Sequence, residues 1–557
     1  MKSRILSALA AAALLCCASC VKANYELGGS LIPVDQTYSV YTAELPFTEI
    51  YSCMADSLSG YSNKRLTIGA VRDAEFGLTT RSCALTLVPL NDTLIWGSNP
   101  RVKRFHFAAA KDTTSTMDDN GLHILQNVRV YELDAPLDAS RNFDINAPVS
   151  HRPGTITMGT PVINGSDSLS FDFDLTFASR FLGITQADIE DMDAYLKKLP
   201  GIYITTDAPS GNGGRINSFD LQLGYDKENY YLTGNYAQLD IETTIGGVKK
   251  DTSYYFYYSP VSKISTDSLL TTYSTGSFPQ YALNVCSHET RARAGKAEGE
   301  RIMIEGGGGL KPVIRAKTLK AMAQEMIAAK GATPNDVVIN KASIILPFDF
   351  PKDYTEMDRF PYILSPTCRI QMDTVATFMG LTDSSSEDEN QGNIDRSNLQ
   401  FAPDITYHLQ EILKIKDNET AKIKRLENGS LDVWMLITAN EITTTTNSNA
   451  DSEMSDYYKY LAYQSYYNNM YGGYGGYGYG GYGYGYGGYG YGGYGDYYSN
   501  YYTYMMMAQY ANSSTTTTST SQELDTYRWY KGWLNGPAHP DRVPTLRITF
   551  SVPNSAN

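Results

Sequence analysis

Residues 168–178 read Ser168-Leu169-Ser170-Phe171-Asp172-Phe173-Asp174-Leu175-Thr176-Phe177-Ala178. Leu169, Phe171, Phe173, Leu175 and Phe177 fall on one face and the polar residues on the other, which is the period-two signature of a half-buried strand. Phe219, Leu221, Leu223 and Tyr225 repeat it, as do Leu546, Ile548, Phe550 and Val552 near the C-terminus. Leu431 to Thr438 is nearly continuous in apolar residues and reads as an interior strand. Such runs, divided by Gly, Asn and Asp turns, predict a mainly β chain of antiparallel β-sandwich, jelly-roll-like regions with a few covering helices.

Three helices are expected. Thr185 caps the first, with Asp188 in a capping-box position and Ile189, Met192, Leu196 and Leu199 on one face before Pro200-Gly201. Leu319, Met322, Ala323, Met326 and Ile327 form the stripe of the second, ending at Lys330-Gly331. The third spans about Asp404 to Leu413. The polar stretch 288–301 reads as a linker between an N-terminal sandwich region at 38–287 and a C-terminal one at 302–557.

At the N-terminus Lys2 and Arg4 precede the apolar run Ile5 to Leu15, which is too short to span a bilayer. Small residues Ala18 and Ser19 stand before Cys20, resembling a bacterial lipobox. Residues 1–19 are therefore expected to be a lipoprotein signal, Cys20 the acylated residue, and 20–37 a tether. Several acyl chains on one residue give stable membrane attachment. The chain has 46 Lys plus Arg against 60 Asp plus Glu, and this acidity argues against nucleic acid as the main partner. Four cysteines follow Cys20: Cys53, Cys83, Cys286 and Cys368. Their spacing fits no zinc motif, and a Cys53–Cys83 bridge stands beside free buried thiols as a reading.

Motifs for chemistry are scarce. Gly306 to Gly309 lead into Leu310-Lys311-Pro312, lacking the Ser or Thr that a phosphate loop requires after its lysine. Thr116 to Asn127 does not match a calcium loop, and Glu387-Asp388-Glu389 sits in a Ser-rich loop. The six histidines are scattered singly. No catalytic residue, cofactor or metal site is expected. Trp529 and Trp533 are candidate glycan-contact residues, beside the commoner reading of tryptophans that pack on strands. Asp-Ser or Asp-Thr followed by an aliphatic residue or Thr occurs at Ser57, Thr93, Thr113, Ser168, Ser268 and Thr374, and resembles the O-glycosylation acceptor pattern of exported Bacteroidota proteins.

Of 45 tyrosines, 22 fall between Tyr457 and Tyr510, and residues 471–495 contain only Tyr and Gly. The stretch 457–522 reads as a disordered low-complexity insertion. Tyrosine supplies contact area with a polar tip, so a sticky or glycan-stacking arm stands beside a dispensable loop expansion.

Ordered motifs along the chain resemble a Bacteroidota lipoprotein family known as domain of unknown function 4270. They are Tyr25-Glu26-Leu27-Gly28, then Arg65-Leu66-Thr67-Ile68-Gly69 with Asp73 and Phe76-Gly77, and Val128-Arg129-Val130-Tyr131-Glu132-Leu133. The Gly306 to Leu310 turn, Asn340-Lys341-Ala342-Ser343-Ile344-Ile345-Leu346-Pro347, Asp404-Ile405-Thr406-Tyr407-His408-Leu409-Gln410 and the closing strand follow. The resemblance implies a β-rich lipoprotein attached to the outer membrane, and carries over no catalytic residues. The resulting expectation is a non-catalytic envelope component that recognises glycan or serves an outer-membrane protein complex. The alternatives are an adhesin or pilus-like subunit using the Tyr/Gly arm, and a glycan-active hydrolase.

Overall fold

The computed structural model describes residues 37–90, 93–112, 116–117, 125–137, 144–163, 168–226, 231–259, 277–372, 375–385, 390–446 and 516–554. They form a mainly β structure whose paired strands run antiparallel. One large sheet centres on the strand Gly77–Pro89, 13 residues long. Its first half pairs with Arg65–Asp73 and Ala282–His288, and its second half with Ile202–Thr206 and Val248–Ser259. A single strand thus belongs to two differently flanked sheet regions. The core beside it is rich in phenylalanine: Phe105, Phe107, Phe171, Phe173, Phe181 and Phe256 pack with ring centroids 4.8–5.3 Å apart.

Residues 168–178 divide differently from the expectation. The strand is Leu169–Asp172, and Asp174 then caps the helix Leu175–Arg180 by accepting from the Phe177 N–H. Phe173, Phe177 and Phe181 lie four apart, so the same apolar set also satisfies a helical period. The cap tips the balance by satisfying a backbone donor at the helix start. Leu175, inward on the strand reading, is 49% exposed.

A second core lies between two further sheets. One has the order Tyr38–Pro46, Thr545–Pro553, Val338–Pro347, Gln400–Phe401 and Ile394–Asp395; the other includes Tyr51–Met54, Leu310–Ile314, Val433–Thr446, Ile363–Met372 and Val375–Gly380. Ile344, Leu546, Ile548 and Phe550 of the first meet Ile314, Leu364, Val433 and Met435 of the second in one buried cluster. The helices Ala316–Ala328 and Thr406–Leu413 pack their apolar stripes into it. Gly331 ends the first of them at φ +70°, a conformation that favours glycine. The Thr185–Asp188 capping box is present, but the helix it starts is short: Gln186–Glu190 gives way at Asp191, which caps Met192–Lys198. The helix Thr420–Glu427 has no fully buried residue, and its Ile423 and Leu426 pack partly buried against the same core.

The expected division of the chain is crossed. Tyr38–Pro46 pairs residue for residue with Thr545–Pro553, and Tyr51–Met54 pairs with Leu310–Val313. Nor is 288–301 a bare linker: it holds the 3-10 turn Glu289–Arg293 and a short strand, Lys296–Ala297, paired with Tyr51–Ser52.

Val433–Thr446 and Thr516–Leu524 form an antiparallel ribbon from Thr438↔Leu524 to Thr446↔Thr516. The insertion therefore joins the body at one ribbon end, and residues 516–522, expected to be low-complexity chain, belong to a strand. Because Thr446 and Thr516 are cross-strand partners, an Asn-Gly turn can replace residues 447–515. Urea denaturation of that variant is expected to show stability equal to the parent or up to about 3 kcal/mol higher, through reduced loop-closure entropy. A loss above about 1 kcal/mol, large for a surface change, would mean that the insertion packs on the body.

Candidate functional site

Charged residues converge where the large sheet meets the second core. Thr79 and Arg81 stand on Gly77–Pro89, directly opposite His288 and Cys286 on the neighbouring strand. Glu305 ends the strand Arg301–Glu305, and after the Gly306–Gly309 turn Lys311 lies on Leu310–Ile314. Arg81, Glu305 and Lys311 are at most 2% exposed, and His288 is 6% exposed.

Glu305 is the hub. Its Oε2 accepts from the Thr290 hydroxyl (2.6 Å) and the Leu310 N–H (3.1 Å), while Oε1 lies 3.4 Å from His288 Nδ1. Burial raises this carboxyl, but attraction and hydrogen bonding from His288, with bonds from Thr290 and Leu310, outweigh it and leave the group below its ordinary value. Lys311 Nζ donates to the carbonyls of Glu305 (2.5 Å), Gly307 (3.0 Å) and Gly309 (3.1 Å). Three acceptors match the three donors of an ammonium group. Burial nevertheless pushes the Lys311 amine down to about 7, with Glu305 opposing and Arg81 adding to the shift. Burial likewise takes Arg81 down to about 10, against the attraction of Glu305 and Asp525. Arg81 Nη1 donates to Cys286 Sγ.

The glycine turn is shaped by this cluster. Gly307 has φ +56°, and a Cβ there would stand 2.2 Å from Arg81 Nη1. At Gly308 the obstacle is the Asn146 side chain, and at Gly309 it is Glu305 and His288. Asn146 Nδ2 donates to the Gly308 carbonyl (2.8 Å). With Lys311 on Gly307 and Gly309, the turn aims carbonyls at a cation. A phosphate loop aims N–H groups at an anion, so the glycine run is a structural lock around Lys311.

A seam of polar contacts extends the cluster. Lys64 meets Glu523 (2.5 Å), Arg65 meets both Asp112 (3.0 Å) and Glu441 (3.2 Å), and Asp73 meets Lys531 (2.5 Å). Ser62 shares a 3.0 Å hydrogen bond with Tyr527. These groups are mostly shielded from water, so their attraction is screened less than that of surface pairs. The seam ties residues 62–81 to residues 305–311, 441 and 523–533. Chemically, the enclosed cluster can bind charge to charge across the seam and exchange protons; its buried groups offer no exposed face for a large substrate.

The glycan-contact tryptophans are engaged internally. Trp529 is 3% exposed and packs with Val71 and Ile216. The Trp533 ring lies 5.2 Å from Phe76, has the Arg301 guanidinium 3.9 Å from its centroid, and donates through Nε1 to Glu75 (2.6 Å). Neither presents the open ring face that a sugar platform needs.

Cys53, Cys83, Cys286 and Cys368 are free, so no Cys53–Cys83 bridge forms. Cys53 pairs in the Tyr51–Met54 strand beside Lys311, whereas Cys83 is inside the large sheet. Of the hydroxyls on the acceptor pattern, Ser57 is half-buried at φ +78° and accepts from Arg369 Nη2 (2.8 Å). Thr93 and Ser168 are exposed. Cys20, Thr113, Ser268, Thr374 and Glu387 to Glu389 lie outside the described residues, as does most of the Thr116–Asn127 stretch. Among the described residues no cluster of three or more His, Cys, Asp or Glu could hold a metal ion, and no helix is long and apolar enough to cross a membrane.

Sequence reading reached the glycine turn but missed Arg81, His288, Glu305 and Lys311 as a unit. They are scattered along the chain, and only the run of four glycines hints at a crowded partner. No protein-family model, curated protein or solved structure matches this chain.

Proposed function

We propose that the chain is a lipid-anchored, non-catalytic protein of the outer membrane that binds or scaffolds, with a glycan or an envelope protein as its partner. The observation that carries this reading is the apolar run ending in Ala18-Ser19-Cys20, where acyl chains on one cysteine would hold the protein to a leaflet. The architecture supports it. The strand Tyr38–Pro46 is paired over all nine residues with Thr545–Pro553, so a tether at 20–37 would meet the body at that strand. Load on the anchor is thereby shared along a strand. The buried charged cluster suits a rigid body more than a turnover site.

Expression of the full chain in a bacterium with lipoprotein processing, in the presence of an alkyne fatty acid, tests the anchor. The parent is expected to be labelled and to sediment with membranes, and Cys20→Ala to lose the label. An unlabelled parent, or a labelled Cys20→Ala, would overturn the reading. The ribbon geometry also makes the adhesin alternative testable with the 447–515 replacement, because that change leaves the paired strands intact.

A further inference from the structure

We propose that His288 is the trigger of an acid-operated joint: protonation of its imidazole loosens the Gly306–Gly309 turn and the seam that the turn closes. This goes beyond the anchoring role and does not depend on it.

The geometry sets two cations and one carboxylate around the ring. From Gly77–Pro89 come Arg81 and the neutral Thr79, whose hydroxyl is 3.5 Å from His288 Nδ1. Its own strand supplies the Cys286 thiol, and the following turn supplies Thr290. Glu289 faces away, accepting from the Leu78 N–H and pairing with Arg72. The other side of the seam contributes Glu305 and Lys311. Asp525, the second carboxylate near Arg81, is engaged by Arg528 (2.5 Å) and Tyr530 (2.8 Å). A proton on His288 therefore adds a third positive charge to a buried group with one nearby carboxylate, whose Oε2 already serves Thr290 and Leu310 and whose Oε1 lies 3.4 Å from Nδ1. A Cβ at Gly309 would meet His288 Cε1 at 2.9 Å, so the ring abuts the turn and repulsion acts on it directly.

The sign follows from linkage. Burial lowers the His288 pKa, with Arg81 and Lys311 reinforcing the shift and Glu305 opposing it. The closed joint then binds fewer protons than an opened one, in which the imidazole titrates near 6.5. The His288 contribution to closure is complete above about pH 6.5 and weakens as pH falls. Lys311 works in a different window, between about 7 and the ordinary lysine value.

Hydrogen exchange on the full chain tests the joint, read at the Gly309 and Leu310 amides, which bond Gly306 O and Glu305 Oε2. After correction for intrinsic exchange, their opening constant is expected to rise by up to about tenfold per pH unit below about 6.5. The Val130 and Ile204 amides, in a paired strand region away from the turn, should keep a smaller slope. His288→Gln should flatten the response at the turn. A flat response in the parent between pH 6.5 and 5, or equal slopes at the turn and the control amides, would overturn the proposal. So would a His288→Gln protein that retains the parent slope. If that variant does not fold, the comparison within the parent still decides.

Discussion

Glu305→Gln is expected to lose about 3–5 kcal/mol of unfolding free energy at pH 6, the range for breaking a buried ion pair by removing one partner. The substitution preserves volume and leaves an oxygen to accept from Thr290. What it removes is the negative charge facing Arg81, His288 and Lys311, none of which can turn to water from positions at most 6% exposed. The loss should carry a pH signature. Lys311 is held at about 7 while Glu305 is present, and without the carboxylate its amine falls further. Above that value the amine is neutral, and part of the uncompensated charge disappears. Urea denaturation at pH 6 and pH 9 should therefore show a smaller difference from the parent at pH 9. A variant within about 1 kcal/mol of the parent at pH 6, far short of the cost of a broken buried pair, would mean that the cluster does not depend on this carboxylate.

Gly307→Ala is expected to lose about 2–5 kcal/mol, from about 1–2 kcal/mol for a left-handed non-glycine residue plus about 1–3 kcal/mol for overpacking. The added methyl would meet Arg81 Nη1, Nη2 and Cζ at 2.2, 2.3 and 2.5 Å. A long side chain elsewhere would move aside, but this guanidinium is enclosed and charged, and displacing it also disturbs Cys286. Gly331 provides the control. Its φ is +70°, and a methyl added there would have nothing within 4 Å, so Gly331→Ala carries only the backbone cost of about 1–2 kcal/mol. Thermal or urea denaturation of both variants separates conformation from crowding. Equal losses at the two glycines would rule out Arg81 as the reason for the one at 307.

Legibility followed the range of the interaction. Leu546, Ile548 and Phe550 announce a strand because alternate residues face one core, and all three are fully buried. Leu319 to Ile327 announces a helix for the same kind of reason, and Thr185 with Asp188 marks a start through a contact three residues long. Where two periods fit one stretch, pattern alone chose wrongly: Phe173 and Phe177 serve strand and helix equally, and the Asp174 cap decided. The site was less legible still. Trp529 and Trp533 read in sequence as either a glycan platform or strand-packing residues, and only the fold shows one buried against Val71 and the other beneath Arg301. Their partners lie far away along the chain, and no local signal reports them.

By itself, the sequence determined the β-rich class, the main helices and the place of the Tyr/Gly insertion. Each is encoded in neighbouring side chains, through alternation, a three-to-four spacing or a low-complexity composition. Only the tertiary structure decided that residues 38–54 complete sheets built from the second half of the chain, and that Arg81, His288, Glu305 and Lys311 share one enclosure. Strand pairing and the balance of buried charge depend on which distant segments meet, and that follows from the whole fold.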